Sequence, residues 1–181
     1  SQWLATLVQA GPPGRVGRVC CKRLSKPPVV APLGVNLEKF STAGPRRQLG
    51  EGLHVVHVGS AVPVKAHDVL LGAWRDVTAR LDTAGLQARL HLVGAGTNQL
   101  IDLPAGVVAH GEIAHGQLAP LLRACDLWVQ SSVYESQSVA LLEAAACGLP
   151  LVGTAVGLLA DCPTACSTVA EQDGGALAVA L

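Results

Sequence analysis

Five short apolar runs alternate with segments of helical periodicity between Leu53 and Thr154, and each run exits into glycine, serine or threonine. The runs are "LHVVHVG", "ARLHLVGAG", "GVVAHGEI", "LWVQSS" and "LPLVGT". They are too short for helices, and their near-continuous apolar character marks strands buried on both faces. After the first, Val69, Leu70, Ala73, Trp74, Val77 and Leu81 recur at helical spacing until Gly85 stops the pattern. "GQLAPLLRACD" reads as a second, shorter helix. Strands alternating with helices build βαβ units, and their right-handed crossovers predict an α/β fold with a Rossmann-like, doubly wound parallel sheet.

That fold locates a binding site before any motif is read. Ligands of such sheets bind outside the carboxyl ends of the strands. The loops there are Gly59–Lys65, Gly94–Thr97, Gly111–Ala114 and Ser131–Ser138, all rich in glycine or serine.

Composition narrows the partners. The 181 residues carry 13 basic and 13 acidic side chains, so a broad basic field for nucleic acid is not expected. The basic residues Arg15, Arg18, Lys22, Arg23 and Lys26 cluster near the start and read as a solvated face. Six cysteines include the adjacent Cys20 and Cys21 and a lone C-x3-C at Cys162 and Cys166, with no second pair at zinc spacing. Reduced, mostly buried thiols in a cytoplasmic protein are expected, with no metal and no cofactor. The longest uncharged stretch, Ala144 to Ala160, is broken by Gly148, Pro150, Gly153 and Gly157, so no transmembrane segment is expected.

The fourth strand feeds "SVYESQSVALLEAAACGLP", where Glu135 and Glu143 stand eight positions apart astride a helix start. The unsatisfied N–H groups of that start, near Gln137, Ser138 and Val139, favour a phosphate. Glu143 could accept hydrogens from ribose hydroxyls, the task an acid performs in dinucleotide folds. Carboxylate, anion-binding helix end and carboxylate in series suit a nucleotide-sugar. Each glutamate taken singly also reads as a solvated helix residue or a favourable charge near a helix end.

"YESQSVALLEAAACGLPLVGTAVG" resembles the E-x7-E segment of family 4 glycosyltransferases. Upstream, "GVNLEKF" is similar to the turn linking that family's two domains, and "HVGSAVPVKAHDVLL" to its G-R-x-x-x-x-K-G strand–helix turn. The similarity runs in order through residues 30 to 161. It implies one half of the two-domain GT-B architecture, namely the carboxyl-terminal, nucleotide-sugar-binding half. Residues 51–181 would be that donor domain, truncated at its carboxyl end. Residues 1–50 would be the interdomain linker and the remnant of an absent amino-terminal acceptor domain.

By resemblance, Glu135 contacts the transferred sugar, Glu143 holds the ribose, and Lys65 neutralises the diphosphate. Gly59, Ser60, Gly94, Gln137, Ser138 and Val139 complete the donor site, and backbone near Gly111 to Ile113 meets the base. Glu135 and Lys65 are the expected catalytic residues. The loop departs from the pattern at Ser60, where the family has arginine, at Ala66, where it has glycine, and at Gln137-Ser138, where it has Phe-Gly. A hydroxyl replaces a charged, bidentate fork beside the leaving diphosphate.

The function these residues imply is a retaining hexosyltransferase acting from a nucleotide-diphosphate sugar. Its acceptor would be a sugar, a polysaccharide or a lipid-linked molecule bound by the absent domain, and the isolated fragment would be inactive. The full-length protein would be cytoplasmic or peripheral at the inner face of the membrane. No D-x-D motif implies a metal. The alternatives are a nucleotide-sugar epimerase or hydrolase on the same fold, and a degenerate, non-catalytic nucleotide-binding module. The histidines are expected to be structural at His54, His57 and His91, exposed at His67, and without an acidic or cysteine partner at metal-ligand spacing at His110 and His115.

Overall fold

A computed structural model describes residues 33–161, 167–169 and 173–181, the middle segment by its backbone. The basic cluster and Cys20, Cys21, Cys162 and Cys166 lie outside the described residues. The chain divides into Ser1–Gly34 and Val35–Leu181, and the second unit carries the whole sheet.

Six parallel strands form that sheet: β1 (Leu53–Val58), β2 (Ala88–Val93), β3 (Val107–Gly111), β4 (Leu127–Gln130), β5 (Leu151–Thr154) and β6 (Ser167–Val169). Their order is β3-β2-β1-β4-β5-β6. The doubly wound α/β expectation is met, with β6 as an addition. Strand order reverses between β1 and β4, where loops on either side diverge and leave a crevice.

Helices cover both faces because both faces of each central strand are apolar. Helix α1 (His67–Thr83) buries Leu70, Leu71, Ala73, Trp74 and Val77. These pack with Val55 of β1, Leu90 and Leu92 of β2, Val129 of β4 and Leu177 of α5 (Gly174–Ala180). The opposite face packs Val56, Val93 and Trp128 against α2 (His115–Leu122), α3 (Val139–Ala146) and α4 (Leu158–Asp161). Phe40, 1% exposed, completes this second core from the turn that begins at Asn36. The turn is held by Asn36 Oδ1, which accepts from the amides of Glu38 and Lys39.

Arg123, at the end of α2, fixes the segment that follows Phe40. Its Nε donates to the Pro45 carbonyl at 2.9 Å, and Nη1 donates to the carbonyls of Lys39 and Ser41. The planar guanidinium thus gathers three backbone acceptors that would otherwise be stranded as the loop folds back.

A row of histidines crosses the first three strands. His54 Nδ1 lies 3.0 Å from His91 Nε2, and His91 Nδ1 lies 2.9 Å from His110 Nε2. At one end, His54 Nε2 reaches the Gly50 carbonyl. Burial, then the neighbouring His110 and His54, pushes the His91 pKa down to about 4, so this central ring is neutral at physiological pH. The structural role expected for His54 and His91 is met.

Candidate functional site

A cavity of about 410 Å³ opens at the carboxyl ends of β1, β2 and β4. It is lined by Val58, Gly59, Ser60, Lys65, Gly94, Ala95, Glu112, Glu135, Gln137, Ser138, Val139 and Ala140. Eight of the ten expected donor-site residues are therefore brought together from segments up to 80 residues apart. A second hollow, about 440 Å³ in volume, lies at the amino ends of β2 and β3, away from these groups.

The loop after β1 owes its shape to two backbone features. Gly94 has φ 141°, and a Cβ there would stand 2.3 Å from the Gly59 carbonyl oxygen. Only glycine permits this backbone-to-backbone approach of the first two loops. Pro63–Lys65 then forms a single 3-10 turn, and Ala66 enters α1 in the left-handed region at φ 45°, ψ 52°. An L-residue there costs about 1–2 kcal/mol, which accounts for the glycine that the resembling sequences carry.

Backbone and hydroxyl contacts lace this loop to the one after β4. Ser131 Oγ donates to the Lys65 carbonyl at 2.8 Å, and the Val133 amide donates to the Val64 carbonyl at 2.9 Å. Thr154 Oγ1 donates to the Ser132 carbonyl at 2.6 Å, tying the second loop to β5. The two loops form one wall.

In that wall Lys65 Nζ donates to Glu135 Oε1, which also accepts from Ser132 Oγ at 2.9 Å. The two charged side chains are 21% and 12% exposed. Lys65 is the single cation among the cavity-lining residues, against the carboxylates of Glu112 and Glu135. The lining thus carries a net negative charge where a diphosphate was expected.

Across the cavity, α3 begins at Val139, later than the sequence suggested. Ser138 is the N-cap, and its Oγ accepts from the Leu141 amide at 3.3 Å. The amides of Val139 and Ala140 have no carbonyl upstream within the helix, so they are the donors that remain for an anion.

Glu143 and Ile113 lie outside the cavity lining. Ile113 packs against the core. Glu143 is 7% exposed, and its Oε1 stands 3.0 Å from His115 Nε2. This partner stands far from His115 in sequence, outside any metal-ligand spacing. The two residues are 28 positions apart, and packing of α2 beside α3 joins them. The other face of His115 rests on Phe40, with ring centroids 5.2 Å apart.

His67 also departs from expectation. It is buried at 6% exposure and meets His57 edge-to-face, with centroids 4.8 Å apart. His57 Nδ1 donates to the Val129 carbonyl at 3.0 Å, as a structural histidine should. Its Nε2 is buried without a partner, next to Gly59 and the Lys65 stem. Burial, then the His67 and Lys65 charges, holds the His57 pKa down to about 3, so the ring is neutral.

Glu112 and the His57 Nε2 atom were not singled out from sequence. Glu112 had a signal, being the acid directly after the glycine that ends β3. His57 had none, because the burial of its Nε2 is a matter of tertiary packing. Cys125 and Cys147 are free thiols, as expected. Burial, then Asp126, pushes the Cys125 thiol up to about 12, and Cys147 is raised by burial as well. Among the described residues no group of three or more metal-ligating side chains occurs, and no helix is long and apolar enough to cross a membrane.

Comparisons with known proteins agree with this architecture. The family described as Glycosyl transferases group 1 matches residues 52–181. A D-inositol 3-phosphate glycosyltransferase of Geodermatophilus obscurus is 37% identical over 154 residues, covering 71% of this chain and 33% of that protein. Another, from Segniliparus rotundus, is 34% identical over 167 residues, covering 82% and 35%. The chain spans about a third of the length of these curated relatives.

Among solved structures, sucrose-phosphate synthase of Thermosynechococcus elongatus superposes with TM-score 0.67 at 27% identity, over 82% of this chain and 41% of that one. A glycosyltransferase of Rickettsia africae gives TM-score 0.67 at 16% identity, over 81% and 44%, and speaks to fold alone. The sheet order, the loops at its carboxyl edge and the match over residues 52–181 lead to one conclusion: this chain belongs to the group 1 glycosyl transferases.

Proposed function

We propose that residues 51–181 are the donor-binding domain of a retaining glycosyltransferase that moves a hexosyl unit from a nucleotide-diphosphate sugar. The acceptor, a sugar, polysaccharide or lipid-linked molecule, binds on a further domain, to which residues 1–50 lead. One observation carries this reading: the cavity at the β1/β4 reversal gathers Lys65, Glu135 and the open end of α3 around a space of nucleotide-sugar scale.

In this reading Lys65 and the Val139 and Ala140 amides hold the diphosphate. Glu135 accepts hydrogen bonds from the transferred sugar. Glu143 turns from His115 to the ribose hydroxyls, and the Gly111–Ile113 backbone meets the base. The bond from the anomeric carbon to the diphosphate oxygen breaks, and its electron pair leaves on the diphosphate. The acceptor oxygen attacks the same face and gives its proton to the departing phosphate oxygen, so configuration is retained. Lys65 and the helix end stabilise the growing negative charge without a metal. The free thiols of Cys125 and Cys147 fit a reducing compartment, which supports a cytoplasmic place or one at the inner membrane face.

The test is calorimetry and a transfer assay on the chain of 181 residues. A nucleotide diphosphate is expected to bind, and no glycosyl transfer to occur without the acceptor domain. Transfer by this chain alone would overturn the domain assignment. A second reading, a module that binds nucleotide without chemistry, is favoured by the net negative lining and by Ser60. Restoring the acceptor domain separates the two, because only the enzyme then turns over.

A further inference from the structure

The cavity holds one cation, and that cation is already engaged. Lys65 Nζ donates to Glu135 Oε1, and Ser132 Oγ adds a second donor to the same oxygen. Ser60 supplies no charge to share the load, and Glu112 adds a further carboxylate to the lining. Any anionic ligand must therefore draw Lys65 away from Glu135 or approach with Glu135 still beside it. Either course is costly: the first leaves a mostly buried carboxylate short of a partner, and the second sets like charges together.

How that cost is met depends on the ligand's donors. An ionised diphosphate has acceptor oxygens only, so it can take Lys65 and return nothing to Glu135. A sugar ester of the same diphosphate carries hydroxyl groups, and these can donate to the carboxylate that Lys65 vacates. We infer that Glu135 competes with the diphosphate for Lys65, so that the site discriminates a nucleotide-sugar from the bare nucleotide diphosphate left after transfer. The inference rests on the nucleotide-sugar reading above. Removal of the sugar strips Glu135 of its donors, Glu135 draws Lys65 back, and the hold on the diphosphate weakens.

The discriminating measurement is titration calorimetry of native protein and Glu135→Gln with uridine, guanosine, adenosine and thymidine diphosphates and with their glucose conjugates. Glutamine keeps the size of the side chain and removes its charge. The diphosphate that binds is expected to gain about tenfold in affinity in Glu135→Gln, the scale of one charge-assisted contact. Its glucose conjugate is expected to gain less, so the preference for the conjugate shrinks or reverses. Unchanged or weaker diphosphate binding in a folded Glu135→Gln protein overturns the inference while leaving the nucleotide-sugar reading standing. Failure of every ligand with both proteins overturns the two together. Should Glu135→Gln not fold, Glu135→Asp, which withdraws the carboxylate by one methylene, is judged by the same criterion.

Discussion

Ser60 lines the cavity beside Lys65, at the position where the resembling sequences carry arginine. In Ser60→Arg a guanidinium would share the diphosphate with Lys65. Affinity for the nucleotide diphosphate is expected to rise by roughly 1–3 kcal/mol, and the gain should shrink with salt at so open a mouth. Titration at low and high ionic strength checks this, and an unchanged affinity would remove the diphosphate from this loop. The expected residues that line the cavity, among them Gly59, Ser60, Lys65, Gln137 and Ser138, lie on loops that follow strands, where chain continuity fixes their position. The Glu143–His115 pair and the buried His67 were not legible. Their surroundings depend on how helices pack, which no local pattern states.

Arg123 acts on the segment from Lys39 to Pro45, which it holds through three carbonyls. Arg123→Ala is expected to cost about 2–3 kcal/mol in stability, and Arg123→Lys to recover little because an ammonium lacks the planar fork. Amide exchange should quicken locally over residues 39–45 in the alanine variant. Uniform exchange across the domain would show that the clamp is not local. Element by element, the five strands read from sequence are found because apolar runs closed by small residues leave little alternative. The sixth, Ser167–Val169, is three residues of mixed polarity and is recruited by pairing with β5. The α3 start moved to Val139 because Ser138 spends its side chain as a cap.

The stability of the whole molecule should carry the signature of its buried imidazoles. His57 and His91 have folded pKa values lowered to about 3 and about 4, whereas an unfolded chain takes up those protons near pH 6.5. The unfolded state therefore binds more protons below that pH. Stability is full above about pH 6.5 and is lost progressively as pH falls toward 4 for His91 and toward 3 for His57. For His91 the loss is on the order of 3 kcal/mol. Urea midpoints measured from pH 7 to 4 should fall, and His91→Gln should flatten that slope. An equal slope in the variant would assign the acid sensitivity elsewhere. The histidine row also has a direction. With the three rings neutral, the Gly50 carbonyl can only accept, so His54 presents its proton on Nε2 and leaves Nδ1 bare. His91 must then donate from Nε2, and so must His110 behind it. All three rings share one tautomer, and their dipoles point head to tail from the outer strand of the sheet toward its middle.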